Sequence, residues 1–144
     1  MMNRRNYEEA IISIHGERFK KDTAYNTKEM YYLSLFDSNG NKAEIQATYH
    51  EENIWEIQMY VVDIKCVNRH AVADYLFDTM KYSAKNWGIN KIIVQVTPFE
   101  RNSDEGYEEI RKKIQRNVYE RRGFKNVLEE DGYITPPMMC LDLN

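Results

Sequence analysis

The sequence predicts an α+β fold in which a mixed β-sheet of about six to seven strands carries helices on both faces. Three observations support this fold class. The first half of the chain alternates like strands around turn residues, the second half carries apolar residues at helical spacing, and a short β-branched run lies between two predicted helices. The order strand, helix, strand favours a parallel pair at the centre of an otherwise antiparallel sheet.

The first half is interpreted as strands joined by short connections. Glu8 to Ile14 is consistent with an opening strand, and the polar stretch from His15 to Lys28 with a short, irregular helical connection. Asn39-Gly40 lies between the runs Met30 to Phe36 and Ala43 to Tyr49, a position in which Asn-Gly is typical of a hairpin turn.

A long strand, Ile54 to Ile64, completes a predicted meander of three strands. Strict alternation places four of its apolar side chains on one face: Trp55, Ile57, Met59 and Val61. The next buried positions recur at intervals of three or four residues and predict an amphipathic helix: Val72, Leu76, Met80, Ser83 or Ala84, and Trp87. Gly88-Ile89 ends this helix, and Lys91 to Val96 follows as a buried parallel strand.

A second helix precedes the last two extended segments. Ser103 or Asp104 can cap it, and Gly123-Phe124 ends it. Its predicted buried stripe has four members: Tyr107, Ile110, Ile114 and Val118. Two extended segments follow, about Lys125 to Leu128 and Ile134 to Leu143.

Composition and charge narrow the class of protein. A chain of 144 residues predicts one domain over residues 1–144. The net charge of −3 disfavours non-specific nucleic-acid binding, and no apolar run is long enough to span a membrane. Cys66 and Cys140 fit no zinc spacing, so no metal site is expected. They make a poor disulfide framework and suggest reduced thiols in a cytoplasmic protein.

Three segments carry a resemblance to the GCN5-related N-acetyltransferase (GNAT) family. The most specific is Val118-Tyr119-Glu120-Arg121-Arg122-Gly123-Phe124, which matches the family's Tyr-Glu-x-x-Gly-Phe helix ending. The segment Gly88-Ile89-Asn90-Lys91-Ile92 resembles its Gly-hydrophobic-x-Lys-Ile passage, and a long strand turns into a helix near Asn68. The resemblance covers about Met30 to Leu143 and implies a GNAT-like sheet that is splayed at its centre.

The resemblance implies acetyl-CoA as co-substrate. In the family, the pantetheine pairs with backbone groups exposed where two central strands splay apart, and the pyrophosphate lies at the N-terminus of the following helix. By position, the pantetheine would pair near four residues: Asp63, Ile64, Lys65 and Cys66. The pyrophosphate turn would comprise Asn68, Arg69, His70, Ala71, Val72 and Ala73.

This pyrophosphate turn departs from the family pattern Gln/Arg-x-x-Gly-x-Gly/Ala. Asn68 replaces the long donor, and Ala71 replaces the glycine that permits close approach of the phosphates. Arg69 and His70 could compensate as cations. Alternatively, Asn68 is a simple N-cap and Ala71 an ordinary helix residue, and the sequence leaves both interpretations open.

By the same resemblance, Tyr119 is the phenol that protonates the departing CoA thiolate, with a packing tyrosine as the alternative. The general base for the amine is assigned to Glu56 ahead of Asp63, with His50 nearby. The basic run from Arg111 to Lys125 is interpreted as a solvated helix face. Contact with the 3′-phosphate of CoA or with a nucleic acid is the alternative for that run.

These expectations describe an acetyl-CoA-dependent N-acetyltransferase in which an amine attacks the thioester directly in a ternary complex. The amine belongs to a small molecule or a protein, no membrane partner is expected, and a homodimer is compatible with the chain. The alternative is a catalytically inactive GNAT-fold protein that binds or inhibits, as the altered pyrophosphate turn suggests. A nucleic-acid-associated protein is a third interpretation, which the net acidity disfavours.

Overall fold

Eight strands form one mixed sheet in the computed structural model, which describes residues 8–23, 26–63, 65–96, 107–127 and 138–143. The elements are β1 (Glu8–Ile14), β2 (Glu17–Thr23), β3 (Met30–Phe36), β4 (Lys42–His50), β5 (Ile54–Val62), α1 (Arg69–Asn86), β6 (Lys91–Gln95), α2 (Tyr107–Ile114), β7 (Lys125–Asn126) and β8 (Met138–Asp142). The strand order is β1-β2-β3-β4-β5-β6-β8-β7. The mixed α+β sheet is confirmed, with one strand more than the upper predicted number.

The predicted helical connection over His15 to Lys28 is wrong, because half of it, Glu17–Thr23, is strand β2. β2 pairs antiparallel with β1 along its whole length. The two strands are joined by His15-Gly16, whose φ values of 50° and 84° are those of a tight hairpin turn. Only Phe19 of this strand is apolar, so the sequence lacks the alternation that marks a half-buried strand. The predicted three-stranded meander therefore has five strands.

A β-bulge interrupts β5. Ala47 pairs with Ile57 and the preceding Gln46 pairs with Met59, so Gln58 is the extra residue. One added residue transfers every later side chain to the other face of the sheet.

The bulge corrects the predicted apolar face of this strand. Trp55 and Ile57 are buried, as expected, but Met59 is 37% exposed. After the bulge, Tyr60 takes the core side and packs against α1, while Met59 and Val61 turn to the opposite face. The prediction that all four apolar side chains share one face is therefore wrong from Met59 onward.

The helix after β5 is confirmed. Its buried side chains recur at helical spacing: Val72, Ala73, Leu76, Phe77, Met80 and Ala84. Gly88 has a φ of 74°, and the N–H of Ile89 donates to the Ala84 carbonyl at 2.9 Å. Ile89 is 3% exposed, so glycine and its apolar follower close the helix as predicted. The following strand, β6, pairs parallel with β5, which confirms the predicted crossover.

Helix α2 does not end as a regular helix. It passes into a π-helical turn, Gln115–Tyr119, then a 3-10 turn, Glu120–Arg122, and stops at Gly123 with a φ of 95°. The predicted stripe is wrong at Ile110, which is 38% exposed, whereas Tyr119 is 5% exposed. A π-helical turn inserts a residue, so one stripe of regular helical spacing does not continue from Ile110 across the turn to Tyr119. The Tyr107 side chain and the predicted caps, residues 103 and 104, lie outside the described part.

Both described helices reach the same face of the sheet. Phe77 of α1 and Tyr119 at the end of α2 both contact the ring of Tyr60, with centroid distances of 5.1 and 6.4 Å. Helices on both faces were predicted, and the described residues place them on this one. The last two predicted segments correspond to β7 and β8, and residues 128–137 between them are not described.

Candidate functional site

Strand β5 leaves its parallel partner halfway along its length. The β5–β6 ladder runs from Ile54–Lys91 to Ile57–Val94, whereas β5 continues to Val62. On its other side, β5 stays paired with β4 as far as Val62–Ala43. Within the described ranges, Gln58–Val62 has no strand partner on its β6 side. We call this stretch the open edge, because without a strand partner on that side it can pair with an extended, amide-containing ligand.

Helix α1 starts a short turn after the open edge. Its N-cap, Asn68, has left-handed φ and ψ of 53° and 49°, and its side chain makes no capping hydrogen bond. The first helical bond is donated by Val72 to the Asn68 carbonyl at 2.9 Å. The N–H groups of the first turn precede that bond, and with the helix dipole they favour an anion. Arg69 Nη2 donates to the Val62 carbonyl at 3.3 Å, which brings a guanidinium to the same place.

Ala71 takes an ordinary helical conformation. Within residues 68–73, positive φ is confined to Asn68, so alanine at position 71 is not strained. Val72 and Ala73 are buried against the sheet, whereas His70 is exposed. The methyl group of Ala71 therefore adds bulk at the start of the helix, without a backbone penalty.

Two N–H groups of the turn between β5 and α1 are bonded within the turn. Lys65 N donates to Asp63 Oδ1 at 2.8 Å, and Cys66 N donates to the Asp63 carbonyl at 2.9 Å. The Lys65 carbonyl accepts from Asn41 Nδ2 at 3.1 Å, which fastens the turn to the β3–β4 hairpin. Ile64 lies outside the described residues. The open edge thus begins on β5 itself, before residues 63–66, with which the family resemblance implies that pantetheine pairs.

Tyr119 lies in a cluster of aromatic rings, one of which, Tyr60, belongs to the open edge. Its ring centroid is 5.4 Å from that of Phe124, 6.0 Å from Phe77 and 6.4 Å from Tyr60, which belongs to the open edge. Burial raises the pKa of the Tyr119 phenol well above its ordinary value. The phenol therefore keeps its proton at neutral pH, as a proton donor must before it reacts.

Glu56 lies where β5 is still paired on both sides. Its neighbours are Thr48 on β4 and Ile93 on β6. Its Oε1 is 3.1 Å from His50 Nε2, so two of the sequence candidates for the base lie together. Because Glu56 alternates with the buried Trp55, it faces away from the helices. It is therefore on the opposite face of the sheet from Tyr119.

A second carboxylate, Glu44, lies beside the open edge and is not marked by the sequence. It pairs with Val61 across the β4–β5 ladder and is 3% exposed. Its carboxylate is 2.6 Å from Lys42 Nζ and accepts a hydrogen bond from Gln46. Local alternation on β4 predicts a solvent-facing residue here, and only the packing of neighbouring strands buries it. Glu44 shares the Glu56 face but lies level with the open edge.

The basic run from Arg111 to Lys125 is mostly exposed, as expected for a solvated face. Its exposed members are Lys112, Lys113, Arg116, Arg121 and Lys125. A cavity of about 380 Å³ borders this run near β7, and neither Tyr119 nor the pyrophosphate turn lines it. Arg111 is partly buried, and the side chain of Arg122 is only 8% exposed.

The two cysteines are poor nucleophiles. Burial and the carboxylates of Asp37 and Asp63 raise the pKa of the Cys66 thiol. Burial and Asp142 do the same for Cys140. In the described ranges, no three His, Cys, Asp or Glu side chains are grouped closely enough to hold a metal ion. The helices among those residues include none with the length and apolar character needed to cross a membrane.

Comparisons based on the whole sequence find no match. No family model matches it, and no curated protein matches it. The arrangement of its elements, however, is shared with solved structures.

Three GNAT-type acetyltransferases illustrate this similarity. A GNAT-family acetyltransferase from Staphylococcus aureus superposes with a TM-score of 0.60 at 13% identity, over 80% of this chain and 69% of that one. The aminoglycoside 6′-N-acetyltransferase from Enterococcus faecium superposes with a TM-score of 0.57 at 15% identity, over 81% of this chain and 76% of that one. The PaiA N-acetyltransferase from Thermoplasma acidophilum, solved with coenzyme A, superposes with a TM-score of 0.52 at 16% identity, over 79% of this chain and 61% of that one. At these identities the similarity shows the fold, so the chain has the GNAT acyl-CoA N-acyltransferase fold.

Proposed function

We propose that the protein is an acetyl-CoA-dependent N-acetyltransferase. The observation that carries this proposal is the open edge of β5, which leads into the uncapped start of α1 and whose Tyr60 ring contacts the ring of Tyr119. An extended amide chain can pair with that edge, and an anion at one end of the chain meets the helix N-terminus. Fold similarity to proteins that bind coenzyme A supports the choice of ligand.

The residues present suit this ligand. The pantetheine would pair with Gln58–Val62, continuing toward the turn at Lys65 and Cys66. The pyrophosphate would lie on the first turn of α1. Asn68 stands where the family pattern has a long side-chain donor, and the neighbouring Arg69 would supply a cation instead.

In the proposed reaction the proton donor, Tyr119, and the base, Glu56 or Glu44, lie on opposite faces of the sheet. The amine nitrogen attacks the thioester carbon, which backbone N–H groups of the open edge polarise. The carbon–sulfur bond breaks, and Tyr119 donates its phenolic proton to the sulfur. Glu56 takes the proton from the amine, directly or through water. Glu44, which lies level with the open edge, is the alternative base. No covalent enzyme intermediate forms, in keeping with the raised pKa values of both thiols, Cys66 and Cys140.

The acceptor is an amine of a small molecule or of a protein. One structural neighbour acts on aminoglycosides, and its name supports an amine acceptor without identifying one here. We place the reaction in the cytoplasm, since the chain keeps two free thiols.

A catalytically inactive GNAT-fold binding protein is the second candidate function. The observation that favours it is the methyl group of Ala71 on the first turn of α1, where the family pattern has glycine. In that case an acyl-CoA would be excluded, and the open edge would serve another extended ligand.

Thermal denaturation with acetyl-CoA separates the two functions. At about 100 times its Kd, a ligand of the native state stabilises it by about 2.7 kcal/mol, which raises the Tm by several degrees. We expect this rise with acetyl-CoA. An unchanged Tm at millimolar acetyl-CoA would favour the binding protein.

The Ala71→Gly variant extends the same measurement. Because glycine costs a helix about 0.5–1 kcal/mol, the free variant should melt earlier. Its shift with acetyl-CoA should exceed that of the wild type if the methyl group holds the phosphates away. Ala73→Gly is the control, since that methyl faces the sheet and should change stability without improving binding.

A further inference from the structure

Arg122 is a buried cation at the junction of the two helices. Its guanidinium carbon is 4.8 Å from the centroid of the Phe77 ring. Nη1 donates to the Val118 carbonyl at 2.8 Å, and Nη2 donates to Asp74 Oδ1 at 2.7 Å. Its Nε is buried and has no hydrogen-bond partner among the described residues. A buried charge is costly unless it is paired, so these contacts determine where Arg122 can lie.

The two partners of Arg122 belong to different parts of the site. Asp74 lies on α1, the helix that begins at the pyrophosphate turn. Val118 precedes Tyr119 within the π-helical turn. Arg122 thus connects the start of α1 to the turn that sets the direction of the Tyr119 side chain.

The π-helical turn needs such support. π-helical turns are rare, and a return to regular α-helix would rotate the next side chain by about 100°. Gln115 holds the start of the turn, since it donates to Asn126 Oδ1 at 2.7 Å and accepts from Arg111 Nη1 at 3.2 Å. Arg122 holds its end through the Val118 carbonyl.

We propose that Arg122 is a positioning residue for Tyr119, anchored by Asp74, and that it keeps the phenol directed at the open edge during acetyl transfer. This inference rests on the proposed function. In the transfer step the phenolic O–H bond breaks as the S–H bond of CoA forms, which leaves a phenolate. The proton that the amine loses to the base restores the phenol through solvent. The positive charge of Arg122 favours that phenolate, and it opposes the effect of burial on the pKa of Tyr119.

The test is a double-mutant cycle on kcat with Tyr119→Phe and Arg122→Met. Arg122→Met alone should lower kcat by about 10²-fold, the scale of a small misplacement of a catalytic group, with little change in KM for acetyl-CoA. Arg122→Lys, which keeps the charge, should recover part of that loss. Arg121→Met removes an exposed charge from the same turn and should leave kcat within about twofold.

The decisive result is the effect of Arg122→Met in the Tyr119→Phe background. If Arg122 acts through the phenol, the second substitution adds almost no loss. Independent, multiplying losses would overturn the inference while leaving the proposed function intact. Faster amide exchange over residues 118–124 in Arg122→Met, with the remaining protection unchanged, should accompany the kinetic loss. Unaltered exchange there would also overturn it, and a wild type without turnover would instead overturn the proposed function.

Discussion

Tyr119→Phe is expected to lower kcat by about 10²- to 10³-fold, within the range that general acid catalysis contributes. The substitution removes only the hydroxyl, and the phenyl ring keeps its contacts with Phe124, Phe77 and Tyr60. KM for acetyl-CoA and the free energy of unfolding should therefore change little. Steady-state kinetics with a saturating amine, together with urea denaturation, measure both quantities.

The matched control for this variant is Tyr82→Phe. Tyr82 lies on α1 and is 69% exposed, so loss of its hydroxyl should alter neither kcat nor stability. If Tyr119→Phe retains full turnover while the control behaves as expected, Tyr119 is a packing residue and the proton comes from elsewhere.

Phe77→Ala is expected to lower the free energy of unfolding by about 3–5 kcal/mol, the usual cost of removing a buried phenyl ring. Phe77 of α1 is fully buried and contacts the end of α2 and the open edge. Its ring lies 5.1 Å from Tyr60, 6.0 Å from Tyr119 and 6.1 Å from Phe124, and the Arg122 guanidinium lies over it. Such a loss is a large part of the stability of an ordinary domain.

Urea denaturation of Phe77→Ala beside Tyr82→Ala measures this effect. The exposed Tyr82 should cost no more than about 0.5 kcal/mol, as surface substitutions usually do. A cost below about 1 kcal/mol for Phe77→Ala would mean that the ring cluster does not hold α1, α2 and β5 together.

The features that the sequence predicts correctly depend on local signals. The apolar period from Val72 to Ala84 and the Gly88-Ile89 stop determine α1 by themselves. The β-branched composition of β6 is itself typical of a strand that is buried on both faces. The Tyr-Glu-x-x-Gly-Phe ending identified the fold, which the structure confirms.

The features that it does not predict depend on tertiary contacts. β2 carries one apolar residue, and pairing with its neighbours rather than its own pattern makes it a strand. The bulge at Gln58 arises from the register against β4, and a single strand does not reveal it. The π-helical turn depends on side chains that are distant in sequence, as the bond from Gln115 to Asn126 shows.

The candidate site divides in the same way. The turn from Asn68 to Ala73 and Tyr119 were assigned from motif positions. Glu44 and Arg122 carry charges that a sequence pattern places at the surface, and only the packing of neighbouring elements buries them. The base for the amine and the role of the pyrophosphate turn therefore stay predictions until they are measured.

Amide hydrogen exchange with and without acetyl-CoA tests the central claim most directly. If the open edge and the start of α1 bind the ligand, acetyl-CoA should slow exchange over Gln58–Val62 and residues 69–72, and leave β1 and β2 unchanged. Unaltered exchange at both places at saturating acetyl-CoA would contradict the assignment of this site.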